Sequence, residues 1–179
     1  MTRLRRAGSW WTALAGMAAL AALAVPTTPT HAAARHGCTG TIHLFYTGGL
    51  NDTERPVGVT GDGTFVCPVE ADPHRRGRIS LSNDGLPALL SCSTGRTALA
   101  GRLTWSDNTE TVFRADESEM RDVSGVRLLT LKGTVTGGDF TGYQVEAGFP
   151  LSREEDASTC ATPEGLARHS GPFLIVISN

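Results

Sequence analysis

The chain has 179 residues and carries 16 Lys and Arg against 18 Asp and Glu, a formal net charge of −2. Nucleic acids and anionic membranes are bound through basic patches, so this balance argues against both as partners. The length is that of one ordinary domain preceded by a short leader.

Residues 1–34 have the three parts of a secretory signal. Three arginines precede an uncharged run rich in Ala and Leu over 10–25, and the small residues of "THA" or "AAA" offer a cleavage site. The run of 16 residues is shorter than the roughly 20 that a membrane-spanning helix needs. We therefore expect export, removal of 1–34, and a single secreted domain over 35–179 with no membrane attachment. The leader holds three of the 16 basic residues and no acidic one, which leaves 13 against 18, a formal charge of −5.

Short runs in which apolar and polar residues alternate follow one another through 35–179, separated by Gly, Pro, Asn and Asp. In "GRLTWSD", Leu103 and Trp105 point to one side, and Arg102 and Thr104 point to the other. Side chains alternate across a β-strand, so this pattern predicts strands with one buried and one solvated face, as in antiparallel sheets. No segment shows a convincing helical period.

The short alternating runs predict an all-β fold of about nine strands, either an antiparallel β-sandwich or a meander-like β-barrel. Tight hairpins are predicted at 107–109 and 137–139. The last strand, "PFLIVIS", is apolar on both faces and is expected to be central or covered, and not an exposed edge. The predicted strands lie near 39–47, 56–67, 77–82, 88–93, 99–106, 110–116, 126–136, 140–150 and 171–178.

All four cysteines, Cys38, Cys67, Cys92 and Cys160, follow the leader. An even number in an exported chain predicts two disulfides. Zinc sites use closer pairs than the smallest spacing here, 25 residues, so no metal is expected. If the nine strands simply alternate in direction, all four cysteines fall at one end of the sheet, which the disulfides would staple. Four cysteines allow three pairings; the favoured interpretation is Cys38–Cys92 with Cys67–Cys160, because directly adjacent strand ends already share ladder hydrogen bonds.

The same alternation of strands places the longest connections, 68–78, 116–125 and 152–171, at the stapled end. Long loops on a rigid sheet often carry binding surfaces, although loop charge is usually simple solvation. The "HRR" at 74–76, with Arg78, could hold a phosphate or another acidic group. It could equally be an exposed turn whose charge Glu70 and Asp72 partly neutralise.

No pattern in the chain predicts a catalytic, cofactor or metal site: there is no G-x-S-x-G elbow and no paired histidine motif. His43 lies in the first strand and could be a buried base, although a half-buried histidine with satisfied hydrogen bonds is the simpler interpretation. Trp105 is the only tryptophan after residue 34, and its alternation with Leu103 marks it as a core residue first. Trp105 and Tyr143 could alternatively line a ligand cavity. We expect no cofactor, and an enzyme is the less favoured interpretation.

Several short motifs run through nearly the whole of 35–179: "CTGT" (38–41), "FYTGGL" (45–50), "SC" (91–92), "GTVTGGDFTG" (133–142) and "CATPEGL" (160–166). On these motifs the chain resembles a group of small secreted actinobacterial proteins that are disulfide-linked and rich in β structure. The resemblance implies a secreted β domain, and it implies no particular activity or catalytic residue.

Three functional hypotheses follow. The first is a noncatalytic extracellular binding or surface-interaction module that uses the long loops or an exposed sheet face, with an extracellular protein, a cell-wall component or a small molecule as its partner. The second is a carrier that holds a small hydrophobic ligand in a barrel cavity around Trp105 and Tyr143. The third is a secreted hydrolase or protease inhibitor.

Overall fold

A computed structural model of the protein describes residues 35–68, 76–83, 88–123, 126–150 and 158–179. The expected leader, 1–34, lies outside the described residues, as do His74 and Arg75 of the "HRR" motif and the stretch 151–157.

Ten strands form within the described ranges, and most strands that follow one another in the chain are also hydrogen-bonded neighbours in the sheet. Their bounds are β1 (Arg35–Leu50), β2 (Arg55–Val66), β3 (Arg76–Ser82), β4 (Ala88–Leu90), β5 (Gly95–Arg96), β6 (Leu99–Trp105), β7 (Glu110–Val123), β8 (Val126–Gly138), β9 (Gln144–Pro150) and β10 (Leu166–Ser178).

Eight of these ten strands close into an antiparallel barrel in the order β1-β10-β9-β8-β7-β6-β3-β2, and a ladder between β2 and β1 completes the circle. Neighbours around the barrel are consecutive in the chain, except that the first and last strands, β1 and β10, also pair, and that the small hairpin β4–β5 is inserted between β3 and β6. The architecture is thus an up-and-down barrel. Of the two predicted arrangements, the meander-like barrel is confirmed.

The β1–β2 ladder runs from Thr39 opposite Val66 to Thr47 opposite Gly58. Glycines on its inner face let the two backbones come close. A Cβ at Gly63 would lie 2.3 Å from the carbonyl oxygen of Thr41, a distance that no side chain tolerates. Strand glycines of this kind mark tight bends and close backbone approaches, and here they allow the sheet to coil on itself.

Inward positions of the barrel carry large apolar side chains that fill its interior. Along β6, for example, Leu103 and Trp105 are buried, whereas Arg102, which precedes Leu103, is exposed, as the sequence alternation predicts. The aromatic ring of Phe65 on β2 lies against Gly77 of β3, where a Cβ would meet it at 2.7 Å. An eight-stranded barrel is just wide enough for its interior to be filled by side chains, and this one is filled in that way.

The predicted strands are all present, with longer bounds in places, but β4 ends at 90 instead of 93 and β9 begins at 144 instead of 140, because 139–142 form a turn; the two-residue strand β5 was not predicted. The largest difference is at 116–125, predicted as a loop, where β7 instead continues to Val123 and pairs with β8 as far as Val126. Backbone hydrogen bonds between the two strands extend the ladder, and the charged residues that suggested a loop do not interrupt it. The final strand, β10, pairs with β1 on one side and β9 on the other, so the prediction that it is not an edge is confirmed.

The two disulfides join Cys38 to Cys67 and Cys92 to Cys160, so the favoured pairing of the sequence analysis is wrong. Cys38 and Cys67 lie one step beyond the last rung of the β1–β2 ladder, Thr39 opposite Val66. Adjacent strand ends are therefore bridged after all, because the ladder hydrogen bonds stop at that rung and leave the two ends side by side.

The expectation that all four cysteines lie at one end is also wrong. Cys92 donates its backbone N–H to the carbonyl of Asn51, beyond the end of β1 that is opposite to Cys38. The reason is that β4 was counted as a barrel strand although it is not one. Strand directions alternate around the barrel, so one extra strand in the count reverses the inferred direction of every later strand. With β4 left out, β9 ends, and Cys160 follows, at the same end as Cys92. This end is called the Cys92 end below, and the other the Trp105 end.

Candidate functional site

Trp105 closes one end of the barrel as a core residue. It is 2% exposed, and its indole N–H donates a 2.9 Å hydrogen bond to the hydroxyl of the buried Thr111. Its ring meets Phe65 edge-on at 5.1 Å between centroids. These contacts make Trp105 a core residue, as its alternation with Leu103 predicts.

Tyr143 belongs to an aromatic plug over Trp105. Phe140, at the centre of the plug, lies 5.9 Å from Trp105, 5.7 Å from Tyr143 and 4.6 Å from His36 between ring centroids. Phe140 has a φ of 63°, a backbone conformation that a bulky residue rarely adopts. The turn that holds it is tied down by hydrogen bonds from the N–H of Gly142 to Val135 and from the N–H of Tyr143 to Phe140. The plug therefore seals the Trp105 end.

The carrier hypothesis requires Trp105 and Tyr143 to line one cavity. The structure places the two residues near each other, but the ring of Phe140 packs against both of them. Inward side chains from all eight barrel strands are buried in one continuous cluster. The depressions that the described residues line instead open on the outside of the barrel.

His43 is exposed on the outer surface of β1, so it is not the buried base that the sequence allowed. Its partners across the two ladders are Ser170 on β10 and Asp62 on β2. Directly opposite residues have Cβ atoms about 5 Å apart, so the three side chains form a Ser–His–Asp row. The structure gives no hydrogen bond among these three described side chains, and the row faces solvent. As it stands, it presents polar groups to a partner and lacks the hydrogen-bonded geometry of a nucleophile and its base.

The row belongs to a larger polar surface formed by outward side chains of β10, β1, β2 and β3, which we call the β1–β3 wall. Threonine and serine hydroxyls dominate it, from Thr39 and Thr41 on β1 to Thr64 on β2 and Ser80 on β3. Two adjoining depressions of about 670 and 480 Å³ run over this surface, and they share Thr41, Thr64, Arg78 and, on the neighbouring strand β6, Thr104. The surface therefore has both relief and a high density of hydrogen-bonding groups.

The cations of the β1–β3 wall differ from most other described cations in having no ion pair or side-chain hydrogen bond with another described residue. Arg76 and Arg78 on β3 and Arg168 on β10 are exposed, and the structure shows none of them in an ion pair or side-chain hydrogen bond with another described residue. Elsewhere on the barrel, Arg102 pairs with Glu110 and Arg114 with Asp116. Arg76 and Arg78 were singled out in the sequence as part of a possible acid-binding cluster. Arg168 was not, because only the β1–β10 register places it beside Phe45.

Phe45 is the exposed aromatic side chain of this surface. It lies two residues from His43 on the outward face of β1 and is 46% exposed. Alternation along the strand would have indicated its orientation, since Leu44 and Tyr46 on either side are buried. The sequence analysis did not single it out because a lone aromatic residue in a strand is usually part of the core.

The fold and this surface define a class: a closed, packed, disulfide-linked up-and-down β-barrel with a polar wall on its outside. Comparison of the chain with protein-family models, curated proteins and solved structures finds no match. In the described ranges, no helix has the length and apolar character to cross a membrane.

Proposed function

We propose that this protein is a secreted, noncatalytic binding module that recognises an extracellular partner through the β1–β3 wall. Two disulfides are consistent with an extracellular protein, since such bonds persist in oxidising compartments. The leader expected at 1–34 supports the same compartment.

One observation carries the proposal: the barrel interior is filled, whereas polar side chains, and cations without an ion-pair partner among the described residues, collect on the outside. Buried side chains occupy the space in which a barrel carrier would hold its ligand. The outer depressions are lined by Thr41, Thr64, Arg78 and neighbouring hydroxyl residues, which offer hydrogen bonds at fixed positions on a rigid sheet. Groups held by strands need little reordering on binding, which favours affinity.

The test places bulk on the wall without changing charge. Thr64→Trp on β2 would fill the shared part of the two depressions, and Thr134→Trp would add the same bulk on β8, on the far side of the barrel. Wild type and both variants are applied to arrays of neutral polysaccharides, acidic polysaccharides and extracellular proteins. We expect saturable binding to one polymer class, lost in Thr64→Trp and kept in Thr134→Trp, with melting temperatures unchanged. Equal loss in both variants, or binding that neither variant affects, would contradict a site on this wall.

The carrier hypothesis has its own cheap test, because Trp105 is the only tryptophan after residue 34. With the indole buried and hydrogen-bonded to Thr111, titration with fatty acids or other hydrophobic ligands should leave its emission unchanged. A saturable spectral shift would show that the interior opens, and the carrier function would then replace the present proposal.

A further inference from the structure

Among the described residues, the cations of the β1–β3 wall give this surface a net charge opposite in sign to that of the chain as a whole. Residues 35–179 carry 13 basic against 18 acidic side chains. Among the described residues of the wall, Arg76, Arg78 and Arg168 share the surface with one carboxylate, that of Asp62, and with His43 beside it. A cationic surface on an acidic protein attracts anionic ligands locally.

The surroundings of these cations favour sugars over other anionic partners. The neighbours of Arg78 across its two ladders are Thr64 and Thr104, so hydroxyl groups flank the guanidinium on both sides. Hydroxyl side chains both donate and accept hydrogen bonds, which suits the hydroxyl groups of a sugar. Phe45, exposed beside Arg168, offers an apolar face on which the C–H side of a sugar ring can lie.

The spacing of these groups suits a chain of several sugar residues. Arg76 and Arg78 are two residues apart on one face of β3, about 6.6 Å at the usual strand rise of about 3.3 Å per residue. Phe45 and Thr41 are four residues apart on β1, about 13 Å by the same measure. The wall therefore has an aromatic contact towards one end and two cations towards the other, with hydroxyls between them.

We propose that the β1–β3 wall binds an acidic polysaccharide built from uronic acids, and this inference rests on the proposed function. Carboxylates of the polymer accept hydrogen bonds from Arg76 and Arg78, for which the planar guanidinium supplies paired donors. Phe45 packs against a sugar ring, and Asp62 accepts from sugar hydroxyls while it disfavours a carboxylate at its own position. Each exposed ion pair is weak, so affinity comes from several contacts along one polymer chain.

The first experiment measures charge selectivity by isothermal titration with polygalacturonate and, in parallel, with neutral dextran. The wall variant is Arg76→Ser with Arg78→Ser. The matched control is Arg114→Ser with Lys132→Ser, which removes the same charge from β7 and β8 on the far side of the barrel. We expect polygalacturonate to bind the wild type, roughly tenfold or more weakening in the wall variant, and less than about twofold change in the control. Dextran should not bind.

The second experiment separates a glycan from any other polyanion. Phe45→Ala should weaken polygalacturonate binding several-fold and Phe45→Tyr should restore it, whereas Leu89→Ala, an equally exposed apolar residue on β4, should have no effect. Polyphosphate serves as a polyanion without sugar rings. If it binds as tightly as polygalacturonate and Phe45→Ala is neutral, the surface is a general anion patch and the inference is wrong.

Failure of this inference remains distinct from failure of the proposed function. Binding of dextran and polygalacturonate alike, blocked by Thr64→Trp but not by the arginine variant, would overturn the acidic ligand and keep the binding wall. Binding that Thr64→Trp leaves intact would overturn both.

Discussion

The ring of Phe113 occupies the space in which a side chain at Gly101 would lie. The two residues are direct partners in the β6–β7 ladder, and a Cβ at Gly101 would be 2.1 Å from the Cζ atom of Phe113. A glycine on one strand thus makes room for an aromatic side chain on the next. Phe65 and Gly77 repeat the arrangement between β2 and β3, so pairs of this kind fill the narrow barrel interior without overpacking it.

This relationship predicts a non-additive pair of substitutions. Gly101→Ala should reduce the free energy of unfolding by about 1–3 kcal/mol, because the added methyl group forces the Phe113 ring out of place. Phe113→Ala should cost about 3–5 kcal/mol through the cavity it leaves. The double variant should be more stable than the sum of these losses implies, as measured by urea denaturation in a double-mutant cycle. Strict additivity would mean that the two side-chain positions do not compete for space.

The hydrogen bond between Trp105 and Thr111 predicts a specific effect of removing one hydroxyl. Thr111→Val keeps the side-chain volume but leaves the buried indole N–H without this acceptor, at a cost of about 1–3 kcal/mol of unfolding free energy. Thr111→Ser keeps the hydroxyl and should cost only about 1 kcal/mol for the lost methyl group. Thermal unfolding followed by circular dichroism distinguishes the two. If Val were the better tolerated residue, the hydrogen bond would not contribute to stability.

The left-handed backbone at Phe140 predicts that glycine is tolerated better than alanine at this position, the reverse of the usual order of stability in a strand. Both Phe140→Ala and Phe140→Gly lose the ring that covers Trp105, but only glycine also releases the strain of a φ of 63°. The glycine variant should therefore be more stable than the alanine variant by about 1 kcal/mol. At Thr134, an exposed position of β8 that is paired with strands on both sides, the order should be the usual one, with alanine better by about 0.5–1 kcal/mol. The same order at both positions would contradict the backbone assigned to Phe140.

The two disulfides should protect different parts of the molecule. Replacing Cys92 and Cys160 by serine should cost about 2–4 kcal/mol and raise hydrogen exchange chiefly in 88–96 and 158–166, which that bond ties together. Replacing Cys38 and Cys67 should have a similar total cost but raise exchange at the neighbouring ends of β1 and β2. Exchange–mass spectrometry on the two variants checks this. Peptide mapping that joined Cys38 to Cys92 would contradict both assignments at once.

The strands were predictable because the strongest determinant of a strand is local. In β6 the alternation of Leu103 and Trp105 with Arg102 is visible in the sequence and reappears as burial in the barrel. The hairpin at 107–109 was also predictable, because Asn is among the few residues that adopt the left-handed conformation found at Asn108, whose φ is 67°. The extension of β7 to Val123 was not, since it depends on a ladder with β8 and not on the residues of the turn itself.

The cysteine pairing was not predictable because it depends on a count of strand directions. One short strand, β4, lies outside the barrel and pairs with the start of β2. Nothing in "ALLSC" distinguishes an inserted hairpin from a barrel strand, and counting it as the latter moved Cys92 and Cys160 to the wrong end. The candidate site was likewise predictable only in part. Arg76, Arg78 and His43 could be named from the sequence, but Phe45 and Arg168 join them only through the β1–β10 register.

The sequence by itself determined the all-β class, the approximate positions of the strands and the presence of enough cysteines for two disulfides. Side-chain alternation and turn residues are properties of neighbouring residues, and the number of cysteines is a property of composition, so none of the three requires the tertiary structure. Tertiary structure alone decided that the first and last strands, β1 and β10, pair to close the sheet, that Cys38 meets Cys67, and that Phe45 and three arginines share one outer wall. These features depend on which strands become neighbours, and that choice is made by contacts between residues far apart in the chain.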